Sequence, residues 1–91
     1  MRIIWSPHSL QQLESIGDFI ALDSPARART FIDKLVASVE RLKKFPLSGA
    51  NVPASPNLKQ VIVQGYRIIY RPKDKSIEII TVLSPAQLQG P

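Results

Sequence analysis

The spacing of apolar positions divides the chain into a short strand, two helices and a run of strands. Arg2-Ile3-Ile4-Trp5 is β-branched and aromatic and reads as a strand. Ser6-Pro7 then reads as a helix start. A serine hydroxyl can accept from the free N–H groups of a first turn, and proline at the first helical position gives up no bond it needed. Leu10, Leu13, Ile16 and Ile20 follow at helical spacing, with Phe19 beside them, so the pattern predicts a helix from Pro7 to Ala21. The same start recurs at Ser24-Pro25. Ala28, Phe31, Ile32, Leu35, Val39 and Leu42 then form one stripe, predicting a second helix to about Phe45, where Pro46 forbids continuation. Arg41, Lys43 and Lys44 complement the helix dipole at that end, and Glu40 and Lys44 are spaced as an ion pair. Only Leu22-Asp23 separates the helices, which requires an antiparallel hairpin.

Residues 46–57 carry several prolines and read as a loop. Three strands are predicted after it: Leu58 to Val63, Tyr66 to Arg71 and Ile77 to Leu83. Gln64-Gly65 and Pro72 to Ser76 form the turns of an antiparallel meander. Residues 84–91 form an uncharged tail. The order β-α-α-β-β-β predicts an α+β fold, one domain over 1–91, with the helical hairpin on one face of a mainly antiparallel sheet. The other sheet face is left partly open and is the natural place for function.

Composition narrows the possibilities. With 91 residues, 44% hydrophobic and 21% charged, the chain is an ordinary globular domain. It has no cysteine, so it has no disulfide framework, thiol nucleophile or zinc–thiolate site. No apolar run is long enough to span a membrane and no secretory pattern opens the chain, so a cytoplasmic location is expected. The net charge of +5 attracts an anionic partner such as nucleic acid, an acidic peptide or an acidic protein surface, though it also suits a soluble domain that is merely basic.

Enzyme templates find little here. The single histidine, His8, falls in the first helical turn and reads as solvated. The four glycines are isolated, so no phosphate-binding loop exists, and nothing clusters as metal ligands. What remains is the central hairpin. Tyr66, Ile68 and Tyr70 point one way along their strand, and Arg67, Ile69 and Arg71 the other. Two arginines about 7 Å apart resemble a phosphate or carboxylate clamp, and equally an ordinary strand face. Lys59 joins them only if the register allows. Tyr66, Tyr70 and Trp5 read first as core residues, with base stacking as the alternative for the tyrosines.

These pieces together resemble the RelE/ParE toxin superfamily of bacterial type II toxin–antitoxin systems. The matching segments are Ile4-Trp5-Ser6-Pro7, Ile16 to Ala21, Asp23-Ser24-Pro25-Ala26, Phe31 to Leu35, Leu42 to Pro46, Gly65 to Arg71 and Ile77 to Leu83. The resemblance implies one of two activities. RelE-like members are ribosome-dependent mRNA endonucleases that use lysines and arginines on the sheet, and ParE-like members block DNA gyrase. Arg67 matches the RelE arginine and is the catalytic candidate under that reading. The expected lysines meet Leu58 and Gln60, however, with Lys59 on the opposite face, and residues 84–88 hold neither arginine nor tyrosine. The ParE branch is therefore the closer one, although the histidine and arginines that follow the last strand in many of its members are absent.

On this resemblance the candidates for target contact are Arg67, Arg71, Lys59 and Tyr70. The candidates for antitoxin contact are Leu13, Ile20, Leu35 and Val39 on the hairpin. The expected partners are an antitoxin with a disordered acidic tail, forming a hetero-oligomer, and DNA gyrase, with no membrane, metal or cofactor. The alternatives are a RelE-like interferase acting on the ribosome and mRNA, and a non-toxic antitoxin-binding module.

Overall fold

A computed structural model describes residues 1–85. The elements are β1 (Arg2–Trp5), α1 (Pro7–Ala21), α2 (Pro25–Glu40), a 3-10 turn (Arg41–Lys43), β2 (Ala50–Val52), β3 (Ser55–Val63), β4 (Tyr66–Pro72) and β5 (Ser76–Leu83). One sheet has the order β1-β5-β4-β3-β2, with β1 parallel to β5 and the other pairs antiparallel. This is the expected α+β arrangement of a strand, a helical hairpin and a meander.

Both Ser–Pro pairs act as helix starts. Ser6 Oγ accepts from the Ser9 N–H at 3.0 Å, and Ser24 Oγ accepts from the Arg27 N–H at 3.2 Å. The Ser6 hydroxyl also donates to the Ile80 carbonyl at 3.1 Å, which ties the start of α1 to β5. At its other end α2 stops at Glu40, earlier than the predicted Phe45. The chain tightens into a 3-10 turn that keeps Leu42 in the core while leaving Phe45 exposed. The residue before a proline is pushed out of helical geometry, and here the unwinding begins one turn earlier. Glu40 pairs with Lys43, at 3.2 Å, rather than with Lys44.

The predicted loop over 46–57 contains β2 and the first residues of β3. Pro53 and Ala54 turn the chain between them, with Ala54 at a φ of 62° and Val52 facing Ser55. Pro56 enters β3 beside a register shift in β2, where a missing N–H is tolerated. Of the three prolines in residues 46–57 only Pro56 lies within a strand, at the end of β3 that precedes its pairing with β4 from Lys59 onward.

The core lies between the hairpin and one sheet face. Phe31, Leu35, Val39 and Leu42 come from the second helical segment, and Val63, Ile68, Tyr70, Ile77, Ile79 and Val82 from the sheet. Leu13, Ile16 and Ile20 of α1 are only partly buried against it. A register shift opposite Ile69/Tyr70 adds a residue to β5. This bulge lets Ile79 and Val82, three residues apart, both face the core.

Candidate functional site

Register assigns each side chain to a face. Lys59 lies opposite Tyr70, Val61 opposite Ile68 and Val63 opposite Tyr66, all on the helix-covered side. Ile62 lies opposite Arg67, which in turn faces Leu83 on β5. Gln60 and Thr81 flank Ile69 in the next row, and Arg71 faces Glu78 beyond it. The open face therefore carries Arg67 and Arg71 and excludes Lys59.

The two arginines are in different states. Arg71 donates to Glu78 at 3.0 Å, and Lys73 reaches the other oxygen of that carboxylate at 3.5 Å. Arg67 has no hydrogen bond or ion pair among the described residues. It is also the one half-buried arginine of the described residues, the others being exposed. Its neighbours across both strands are aliphatic, and Ile62 is 60% exposed.

Two further target candidates are placed elsewhere. Tyr70 is fully buried, so it has no surface with which to touch a partner. Its hydroxyl donates to the Pro46 carbonyl at 2.9 Å and accepts from the Gly49 N–H at 3.0 Å. Burial pushes its pKa above the ordinary tyrosine value, and the Gly49 N–H partly offsets this. Lys59 Nζ turns to Asn51 Oδ1 at 3.0 Å and to the Gly49 carbonyl at 3.4 Å. Both side chains fasten the segment between α2 and β2 to the sheet.

Of the hairpin candidates, Leu35 and Val39 are 0% and 1% exposed. They face the sheet and offer nothing to an antitoxin, because the stripe that recruits a helix to the core is consumed by the core. Leu13 and Ile20 are partly buried at its margin. The exposed apolar groups of the hairpin are Leu10, Phe19 and Leu22, and Phe19 is 72% exposed. Phe19 and Ile16 wall a groove of about 620 Å³ that continues past His8, Gln12, Tyr66 and Pro85. A second hollow of about 390 Å³ lies on the other side of Tyr66, between Ile20 and Phe31, with Arg27 and Lys34 on its wall. The exposure of Phe19 was legible in principle, since it falls beside rather than within the stripe of Leu10, Leu13, Ile16 and Ile20.

Comparison with known proteins decides the family. The family model described as the ParE toxin of type II toxin–antitoxin systems, parDE, matches residues 3–88. The chain belongs to the ParE toxin family. A relative named "Putative toxin Y4kP", from Sinorhizobium fredii, is 30% identical over 87 residues, covering 94% of this chain and 90% of the relative. Among solved structures, one described as the chromosomal ParDE TA system from P. aeruginosa superposes with a TM-score of 0.78 at 23% identity, covering 92% of this chain and 95% of that one. A YoeB/ParE toxin from Agrobacterium tumefaciens gives 0.64 at 17% identity, covering 92% and 98%. At these identities the two structures establish the shared fold. Membership of a ParE family makes this chain a type II toxin and implies an antitoxin partner. Among the described residues no group of acidic or histidine side chains could hold a metal ion, and no helix is long and apolar enough to cross a membrane.

Proposed function

We propose that this ParE-family toxin acts in the cytoplasm on a protein target, DNA gyrase, and is held inactive by an antitoxin whose disordered acidic tail binds the helical hairpin. The observation that carries the gyrase reading is the sorting of side chains between the sheet faces. Cleaving RNA needs charge stabilisation together with groups that move protons. On the open face Arg67 lies between the aliphatic Ile62 and Leu83, Arg71 is engaged by Glu78, and Lys59 and Tyr70 lie on the other side. A face of this kind suits contact rather than phosphodiester chemistry.

The antitoxin reading is supported by the groove at Phe19 and the hollow beside Arg27 and Lys34. An apolar ridge would enter the first and carboxylates would meet the second, as charge complementarity requires. Leu13 and Ile20 remain contact candidates at the edge of these hollows, joined by Phe19. Toxin and antitoxin then form a hetero-oligomer.

The test is DNA gyrase supercoiling with purified toxin, with and without its antitoxin. Inhibition accompanied by cleaved DNA and reversed by the antitoxin is expected. Unimpaired supercoiling with folded toxin rejects the reading. Ribosome-dependent mRNA cleavage in its place would restore the interferase alternative, and neither activity would leave a non-toxic antitoxin-binding module.

A further inference from the structure

The open sheet face combines two features that an idle, solvated strand face does not need. The first is aliphatic surface in a continuous row: Ile62, Arg67 and Leu83 stand opposite one another on β3, β4 and β5, with Ile69 next along β4. Ile62 is 60% exposed, and Ile4 at the far side of the face is 39% exposed. The second is Arg67 itself, a half-buried residue whose guanidinium makes no ion pair or hydrogen bond among the described residues. A guanidinium with no partner in its own chain is free to form a planar, charge-assisted pair with a partner's carboxylate. The rest of the face has the same sign, since Arg71 and Lys73 share the carboxylate of Glu78 and Arg2, on the same side of β1 as Ile4, adds a further cation.

We infer that the open face around Arg67 is a docking surface for an amphipathic, acidic segment of another protein. In this arrangement Arg67 binds a carboxylate, and Ile62, Ile69 and Leu83 seat the apolar side chains beside it. Nucleic acid fits the face less well. Single strands are held by aromatic platforms together with several free cations, whereas Tyr66 and Tyr70 lie on the helix side with Trp5 packed against the core. The inference rests on the protein-target reading for the identity of the partner, and on the surface itself for the partner's chemistry.

Backbone amide NMR of the full chain provides the test, using three probes. These are a synthetic helical peptide with leucines along one face flanked by glutamates, the same peptide with lysines for glutamates, and single-stranded oligouridine. The acidic peptide is expected to shift the amides of Ile62, Arg67, Ile69 and Leu83. The lysine peptide and the RNA should leave them unmoved. Arg67→Gln should weaken the acidic peptide by about tenfold or more, the size of a buried anchor, in a protein whose spectrum otherwise matches the parent. Ile62→Ser, at an exposed position, should weaken it without altering the fold. Shifts confined to the Phe19 groove, an unchanged affinity in folded Arg67→Gln, or RNA displacing the peptide from these amides would each overturn the inference. Gyrase takes no part in this measurement. A gyrase assay without inhibition therefore leaves the docking result standing, and absent docking leaves the supercoiling result standing.

Discussion

Gln12 of α1 accepts the backbone N–H of Val82 in β5 at 2.7 Å, and its Oε1 also receives the Thr81 hydroxyl at 3.0 Å. β1 pairs with β5 only as far as Ile79, so the last residues of β5 have no strand on that side. A helix side chain supplies the acceptor that the missing strand would have provided. Val82 is 1% exposed, and its N–H has no recourse to water. Gln12→Leu is expected to cost about 1–3 kcal/mol, read from the denaturation midpoint, and to speed exchange of the Val82 amide. Gln12→Glu keeps the acceptor and should lose less. A Gln12→Leu protein as stable as the parent would show that the bond contributes nothing.

Tyr70→Phe removes the hydroxyl that joins Pro46 and Gly49, leaving a donor and an acceptor unpaired at the foot of the sheet. The expected loss is about 1–3 kcal/mol. Its pH signature follows from the raised pKa. The folded protein holds the phenolic proton more tightly than the unfolded chain does. The contribution is therefore complete below pH about 10 and declines as pH rises through the folded-state value. Urea midpoints across the alkaline range should fall less steeply in Tyr70→Phe than in the parent, and equal slopes would contradict this.

Two glycines should respond with opposite signs. A Cβ on Gly49 would lie 2.6 Å from the Tyr70 hydroxyl and 2.8 Å from the Gln60 carbonyl oxygen, so Gly49→Ala is expected to cost about 1–3 kcal/mol. A Cβ on Gly17, inside α1, would meet Ile32 Cγ1 at an ordinary 3.5 Å. Gly17→Ala should then raise stability by up to about 1 kcal/mol through helix propensity. Thermal melts of the pair decide both, and a stabilised Gly49→Ala would show that the loop yields freely.

On the hairpin, function and stability should separate. Phe19→Ala is expected to leave the melting temperature nearly unchanged while weakening antitoxin binding by about tenfold or more. Leu35→Ala is expected to lose about 2–5 kcal/mol of folding stability, because its side chain is enclosed. Calorimetric titration with the antitoxin tail, next to thermal melts, tests both. Unaltered binding by Phe19→Ala would remove the groove from the interface.

Several elements could be read directly from neighbouring residues. Ser6-Pro7 and Ser24-Pro25 start helices by chemistry that acts within four residues, so both starts were visible. The alternation through Tyr66 to Arg71 likewise separated Arg67 and Arg71 from the tyrosines before any partner strand was known. The same local reading failed where a distant segment decides. Pro53 and Pro56 suggested loop, yet pairing with Lys59 and Gln60 makes β2 a strand. Leu35 and Val39 were visible as a stripe, but the stripe alone does not say whether it meets the sheet or an antitoxin.

The sequence by itself determined the two helices, the order β-α-α-β-β-β apart from the short β2, and the family resemblance, because periodicity, capping and turn chemistry are local properties. The tail over 84–91 was readable only as uncharged, and all but Ser84 and Pro85 lie outside the described residues. Tertiary structure alone decided that Lys59 and Arg67 stand on opposite faces, that Tyr70 is locked inside, and that Arg67 lacks a counter-charge among the described residues. The physical reason is register. A strand's period of two states which residues share a face, but only its pairing with another strand states which face that is, and a slip of one residue exchanges the two.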